Sequence, residues 1–220
     1  MEDDNRRAIV AGPNIASVEG ASLQDVDDTT KCTLVSSLNA DLVANRFTHP
    51  EQWFNSYANC LDWIGWEAVG DSYTMRRDSI YGDVVQTYLG SLSTRQNTKL
   101  GGSVINLLID SFDAIKRDRL AVYSLDQETA MGELFQITPF WRDGSGRLRM
   151  QVSRLQLLTR VRSEQFLFGK VNDSSAMLLQ YYAEFVLNES RLNELRRQIQ
   201  LKLENNRMKK FEMRLRSQRG

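Results

Sequence analysis

Histidine is nearly absent from this chain: His49 stands alone among 220 residues. With one imidazole, a serine triad or a multi-histidine metal centre would have to use it, and neither a G-x-S-x-G elbow nor an H-E-x-x-H pair accompanies it. It stands directly before Pro50 at a predicted helix start and reads as a loop or capping residue. Cysteine is scarce as well. Cys32 and Cys60 lack the spacing of a zinc site or a C-x-x-C redox pair, so they read as thiols packed in apolar surroundings. Long apolar runs are missing too: stretches such as Val104 to Ile109 fall far short of the roughly 18 to 20 residues that span a bilayer, and no transmembrane segment is expected. The first residues are acidic where an export signal would be basic, so a cytoplasmic location is expected.

Nucleotide and metal signatures fail on spacing. Gly101-Gly102 opens an apolar helix but has neither a Walker lysine nor the G-x-G-x-x-G pattern. Asp143-Gly144-Ser145-Gly146 is not followed by the alternating oxygens and closing glutamate of a calcium loop, and reads as a hairpin turn. Scattered acids such as Asp110 and Asp113 nominate no glycosidase pair. The sequence therefore names no catalytic, metal or cofactor residues and leans away from an enzyme.

What is present is an ordinary globular composition, 41% hydrophobic and 25% charged, with 28 basic against 28 acidic residues. That neutrality hides an asymmetry. Residues 1–30 carry seven acids against Arg6 and Arg7, a local charge of about −5 by simple counting, whereas residues 191–220 carry ten bases against three acids. Residues 1–28 show neither period and read as a flexible acidic arm. Residues 29–205 read as a single domain, and 206–220 as a basic extension of its last helix.

Within that domain, apolar positions three and four apart predict a helix from Thr30 to Phe47, and Pro50 and Glu51 open another that ends at Gly65. Trp66 to Met75 suggest a strand or hairpin, Ser79 to Leu92 a helix, and Leu100 to Arg117 the clearest helix of the first half. From Leu120 the period becomes two. Leu120 to Leu125, Leu134 to Trp141, Leu148 to Val152, Phe166 to Phe168 and Met177 to Leu187 read as strands, with a phase slip after Arg154 that suggests a β-bulge. A final helix begins near Ser190. Helices, then strands, then a helix predict an α+β fold, with N-terminal helices packed on an antiparallel meander of about four to six strands and a long basic helix closing it.

Two residue sets are candidates for interaction. The first is charge: Arg196, Arg197, Lys202, Lys209, Lys210 and Arg214 on the basic end, and Asp25, Asp27 and Asp28 on the acidic arm. Ends of opposite sign favour self-association or docking to another protein, and an amphipathic basic helix also suits an anionic membrane surface. The second is the aromatic cluster Trp53, Tyr57, Trp63 and Trp66, which reads as core or as an exposed patch. Arg147, Arg149, Arg154, Arg160 and Arg162 look like the wet face of the meander; without stacked aromatics among them, nucleic acid is not expected as a partner.

The order Trp53-x-x-x-Tyr57, Gly65-Trp66, Phe135-Gln136-Ile137, Gly146 to Met150 and the Tyr181 to Leu187 strand resembles a family of bacterial and fungal α+β proteins without assigned activity, over about residues 45–205. The resemblance implies the fold and brings no catalytic residues. In architecture the helix-wrapped sheet is also similar to cytolytic α/β toxins that insert into membranes, which makes a membrane-active protein the alternative to a binding or assembly module.

Overall fold

The computed structural model describes residues 6–11, 14–69, 74–95, 102–129, 134–160, 167–204 and 210–214. The elements in chain order are β1 (Arg7–Ala11), β2 (Asn14–Glu19), α1 (Leu23–Val43), α2 (Pro50–Ile64), β3 (Trp66–Ala68), β4 (Thr74–Ser79), β5 (Gly82–Asp83) and α3 (Val84–Arg95). They continue with α4 (Gly102–Arg117), α5 (Arg119–Thr129), β6 (Leu134–Arg142), β7 (Leu148–Leu158), β8 (Lys170–Val171), β9 (Met177–Leu187), α6 (Glu189–Leu203) and β10 (Lys210–Arg214).

The fold is α+β, and its main sheet is mostly antiparallel. Eight strands run in the order β10-β1-β2-β6-β7-β9-β3, with β4 also pairing β9, so the sheet is wider than a four-to-six-stranded meander. The meander itself is β6-β7-β9. β2 joins it through a parallel pairing with β6, and β5 and β8 form a separate two-stranded ribbon.

Helices cover both faces, not one. One core cluster takes Ile9, Val18, Phe140, Met150, Val152 and Phe185 from the sheet and packs them under α1, α2 and α6. The other takes Ala8, Val10, Ile15, Phe135, Leu155 and Leu157 and packs them under α3, α4 and α5. This arrangement explains why β1 and β2 lie where a flexible arm is predicted. Both faces of these short strands are buried, so Ala8 to Val10 are apolar without alternation, Ser17 is as buried as Ile15 and Val18, and the period-two signal vanishes.

The same two-sided burial removes the expected bulge. β7 pairs β9 without interruption from Arg149↔Val186 to Leu158↔Met177. Leu155 and Leu157 simply face the second core, while Arg154 keeps the phase of Met150 and Val152 toward the first. Arg154 is therefore not on a wet face; it is 1% exposed.

Other boundaries move for local reasons. α1 starts at Leu23, ahead of Thr30, because Ser22 and Asp25 form a capping box in which Ser22 Oγ accepts from the Asp25 amide at 3.1 Å and Asp25 Oδ2 from the Ser22 amide at 2.8 Å. Residues 120–125 are helix, not strand: Asp118 Oδ1 accepts from the amides of Leu120 and Ala121, and Ala121 and Leu125 bury one face. Ser79 closes a strand, and the helix predicted from it begins instead at Val84, where Asp83 caps Gln86. The last helix stops at Leu203, and Lys210–Arg214 is an edge strand on β1 and not a continuation of it. Of the strand read at Phe166 to Phe168, Phe166 lies outside the described residues.

Candidate ligand-binding site

The site begins as a row across the sheet. In register, Asn14 on β2 stands beside Gln136 on β6, Gln136 beside Arg154 on β7, and Arg154 beside Tyr181 on β9. Three of these four carry amide or guanidinium groups into a layer otherwise filled by apolar side chains. Gln136 Nε2 donates to Tyr57 Oη at 2.9 Å and to Thr138 Oγ1 at 3.3 Å, and Thr138 Oγ1 donates to Asn14 Oδ1 at 2.9 Å. Tyr57 is wholly buried, and that burial pushes its phenol well above the ordinary range, so it stays a neutral acceptor for Gln136.

Above the row lies the α1–α2 hairpin. α1 ends at Val43, and Asn45 Oδ1 accepts from the amides of Phe47 at 2.9 Å and Thr48 at 3.1 Å, which turns the chain back before Pro50 opens α2. His49 occupies the N-cap position without capping through its side chain. The turn aims the Arg46 carbonyl at the sheet, where Arg154 Nη2 donates to it at 2.5 Å. One turn into α2, the Trp53 ring lies 3.9 Å from the Arg154 guanidinium carbon and stacks on Tyr57 at 5.3 Å between centroids. Trp53 Nε1 donates to Asp41 Oδ1 at 2.7 Å, and Arg46 grips the same carboxylate, Nε to Oδ1 at 2.9 Å and Nη2 to Oδ2.

Between hairpin and row is a cavity of about 80 Å³. Its walls alternate in chemistry: Arg154, Gln136 and Asn14 line the floor, Leu34, Leu38 and Leu134 the apolar sides. Among its lining residues the charged groups are Asp41, Arg46 and Arg154, which leaves one positive charge in excess. Arg154 Nε and Gln156 Oε1 are buried with no hydrogen-bond partner among the described residues. Burial first, and then the neighbouring charge of Arg46, push the Arg154 guanidinium down to about 9, so it remains a cation at neutral pH.

A second concavity of about 570 Å³ runs between α1, α2 and α6, bounded among others by Val35, Asn39, Cys60, Trp63, Ile199 and Lys202. Trp63 is 55% exposed there, with the Arg191 guanidinium 5.4 Å from its ring centroid. Cys32 lies buried in the neighbouring core, where burial pushes its thiol up to about 12.

The residues nominated from sequence separate into groups. Trp53, Tyr57 and Trp66 are core, and of the four aromatics only Trp63 is exposed. Asp25 and Asp28 are buried and bonded within the chain, Asp25 Oδ1 to Arg142 Nη2 at 2.7 Å and Asp28 Oδ2 to Arg196 Nη2 at 2.8 Å. Asp27 pairs with Lys31 at 2.7 Å. The acidic segment and the basic helix thus do meet, but inside one molecule. Arg197 and Lys202 are exposed on α6, the backbones of Lys210 and Arg214 belong to β10, and Lys209 lies outside the described residues. The acceptors and donors around the cavity, Asp41, Gln136, Asn14 and Arg154, were not nominated. Their signal was available only as misfits: a glutamine between Phe135 and Ile137, and an arginine in phase with Met150 and Val152.

Asp25 gives a pH prediction. Burial acts to raise its carboxyl, but hydrogen bonds from Arg142 and Ser22 outweigh it and hold the group below the usual aspartate range. A depressed folded pKa contributes stability that is present above the unfolded value of about 3.9 and disappears as pH falls through the folded one. Asp25→Asn is therefore expected to lower Tm at neutral pH and to flatten its decline as pH falls below about 4. Melting curves across that range check it; a decline as steep as the parent's would contradict it.

Neither a comparison with protein-family models nor one with curated proteins gives a match. Among solved structures, a delta-endotoxin is similar at a TM-score of 0.48 and 9% identity, over 78% of this chain and 79% of that one. The Evf virulence factor is similar at a TM-score of 0.38 and 8% identity, over 84% and 77% of the respective chains.

Proposed function

We propose that the protein is a binding protein whose ligand enters the cavity beneath the α1–α2 hairpin. The observation that carries this is Arg154, 1% exposed, which lines a cavity and whose buried Nε has no partner among the described residues. Removing such a cation from water costs several kcal/mol, and leaving one of its donors unbonded adds about 1–3 kcal/mol. A methionine of similar length would fill the same place without either cost. Retaining an arginine there makes sense when a ligand completes its bonding, since sites that break the rules of a good core are where function resides.

The surroundings support the same reading. Asn14, Gln136 and Arg154 come from three adjacent strands, so the floor is rigid, and the roof is a helix hairpin whose turn is fixed by Asn45 and Pro50. The charged ends offer less, because Asp25, Asp28 and Arg196 are already bonded to partners in their own chain.

The test is a fragment screen on the isotope-labelled full chain, followed through amide and indole resonances. Hits are expected to shift the Trp53 indole N–H and the amides around Gln136 and Arg154, with the Trp53 signal assigned from Trp53→Phe. Hits confined to the α1–α2–α6 groove, or none at all, would overturn this reading.

A further inference from the structure

We infer that the cavity takes a small carboxylate with a short apolar tail, seated on Arg154. The inference rests on the reading just given and names the chemistry of that ligand. Asp41 is the only carboxylate among the lining residues, and it is already engaged by Arg46 and by the Trp53 indole. Its charge is thereby matched by Arg46, and the excess positive charge resides on Arg154, whose Nη2 is turned to the Arg46 carbonyl while Nε has no partner among the described residues.

The guanidinium is planar, the donor geometry that a planar oxyanion matches best. Low dielectric strengthens the pairing, because Arg154 is shielded from bulk solvent. Gln136 stands beside Arg154 in register, but its Nε2 donors are held by Tyr57 and Thr138, so Arg154 is the cation that seats the oxyanion. The apolar part of the ligand follows from the sides: Leu34, Leu38 and Leu134 would cover a short aliphatic chain and would leave a tetrahedral, fully hydrated anion poorly served. Volume limits the size, since about 80 Å³ holds a small group and not an extended chain.

The experiment titrates acetate and butyrate, their neutral isosteres acetamide and butyramide, and inorganic phosphate and sulfate into the labelled full chain, reading the Trp53 indole N–H. Saturable shifts with the two carboxylates, at least tenfold weaker with the amides, are expected. Arg154→Met should abolish them while the rest of the spectrum stays native-like, and Arg154→Lys, which keeps the charge but loses the planar edge, should weaken them about tenfold or more. Equal binding of amides and acids would end the carboxylate inference and leave the cavity as a binding site. Binding by phosphate or sulfate alone, or carboxylate shifts that persist in Arg154→Met, would overturn it as well. No response to any probe in a folded protein would sink the inference, and the fragment screen would then decide the underlying reading.

Discussion

Adding one methyl group at Gly65 is expected to cost about 4 kcal/mol, the sum of left-handed backbone strain and overpacking. Gly65 ends α2 with φ +120°, and a Cβ there would stand 3.0 Å from both the Asn188 carbonyl oxygen and the Arg191 Cβ. Neither neighbour can give way easily. The Gly65 carbonyl accepts from the Asn188 amide at 2.7 Å, and Arg191 Nε donates to the Trp63 carbonyl at 3.2 Å, so the end of α2 and the first turn of α6 are locked together. For a chain of this length the loss corresponds to a Tm lower by roughly 8–16 °C. Gly20→Ala is the control: its φ of +63° carries the backbone strain, but nothing lies within 4 Å of the new methyl, and about 1–2 kcal/mol is expected. Thermal melts of both variants decide the matter, and equal losses would show that crowding against α6 adds nothing.

Truncating Trp53 to alanine should cost about 4 kcal/mol, as expected for a large buried aromatic. Its ring is 2% exposed, stacks on Tyr57 and covers the Arg154 guanidinium. Trp53→Phe keeps most of that area and loses the bond to Asp41, for which about 1.5–3 kcal/mol is expected because the acceptor is charged. The larger loss in the alanine variant is the expected order in denaturant or thermal unfolding. Matching losses would place the effect in the indole N–H and not in the ring.

The difference between what could and could not be read from sequence follows from how many sides of an element are wet. α2 and α4 each have one apolar stripe and one solvated face, so Trp53, Tyr57, Leu61 and Val104, Leu107, Leu108 announce them. β9 alternates Leu179, Tyr181, Ala183 and Phe185 toward one core and is also legible. β1 and β2 are buried on both sides, and nothing in Arg7 to Ala11 distinguishes them from a small-residue linker. α1 hides its first turns for the opposite reason: Asp25, Asp28, Thr29 and Thr33 point inward, and polarity reads as exposure unless their partners are known. The candidate site fails to show for a related reason. Asn14, Gln136 and Arg154 are far apart in sequence and become neighbours only through strand register, which includes a parallel pairing between β2 and β6 that no turn specifies.

That parallel pairing, and the seat of β10 on β1, govern the order in which the molecule can assemble. Arg7↔Arg214 joins stretches 207 residues apart in sequence, and Asn14↔Gln136 stretches 122 residues apart. Until Lys210–Arg214 has emerged, β1 offers a bare row of amides and carbonyls, and β2 has no neighbour on the β6 side until the middle of the chain is complete. Until both pairings form, a nascent chain of this design is sticky along one margin, and its slowest step should be the zipping of the first strands into a meander that is already built.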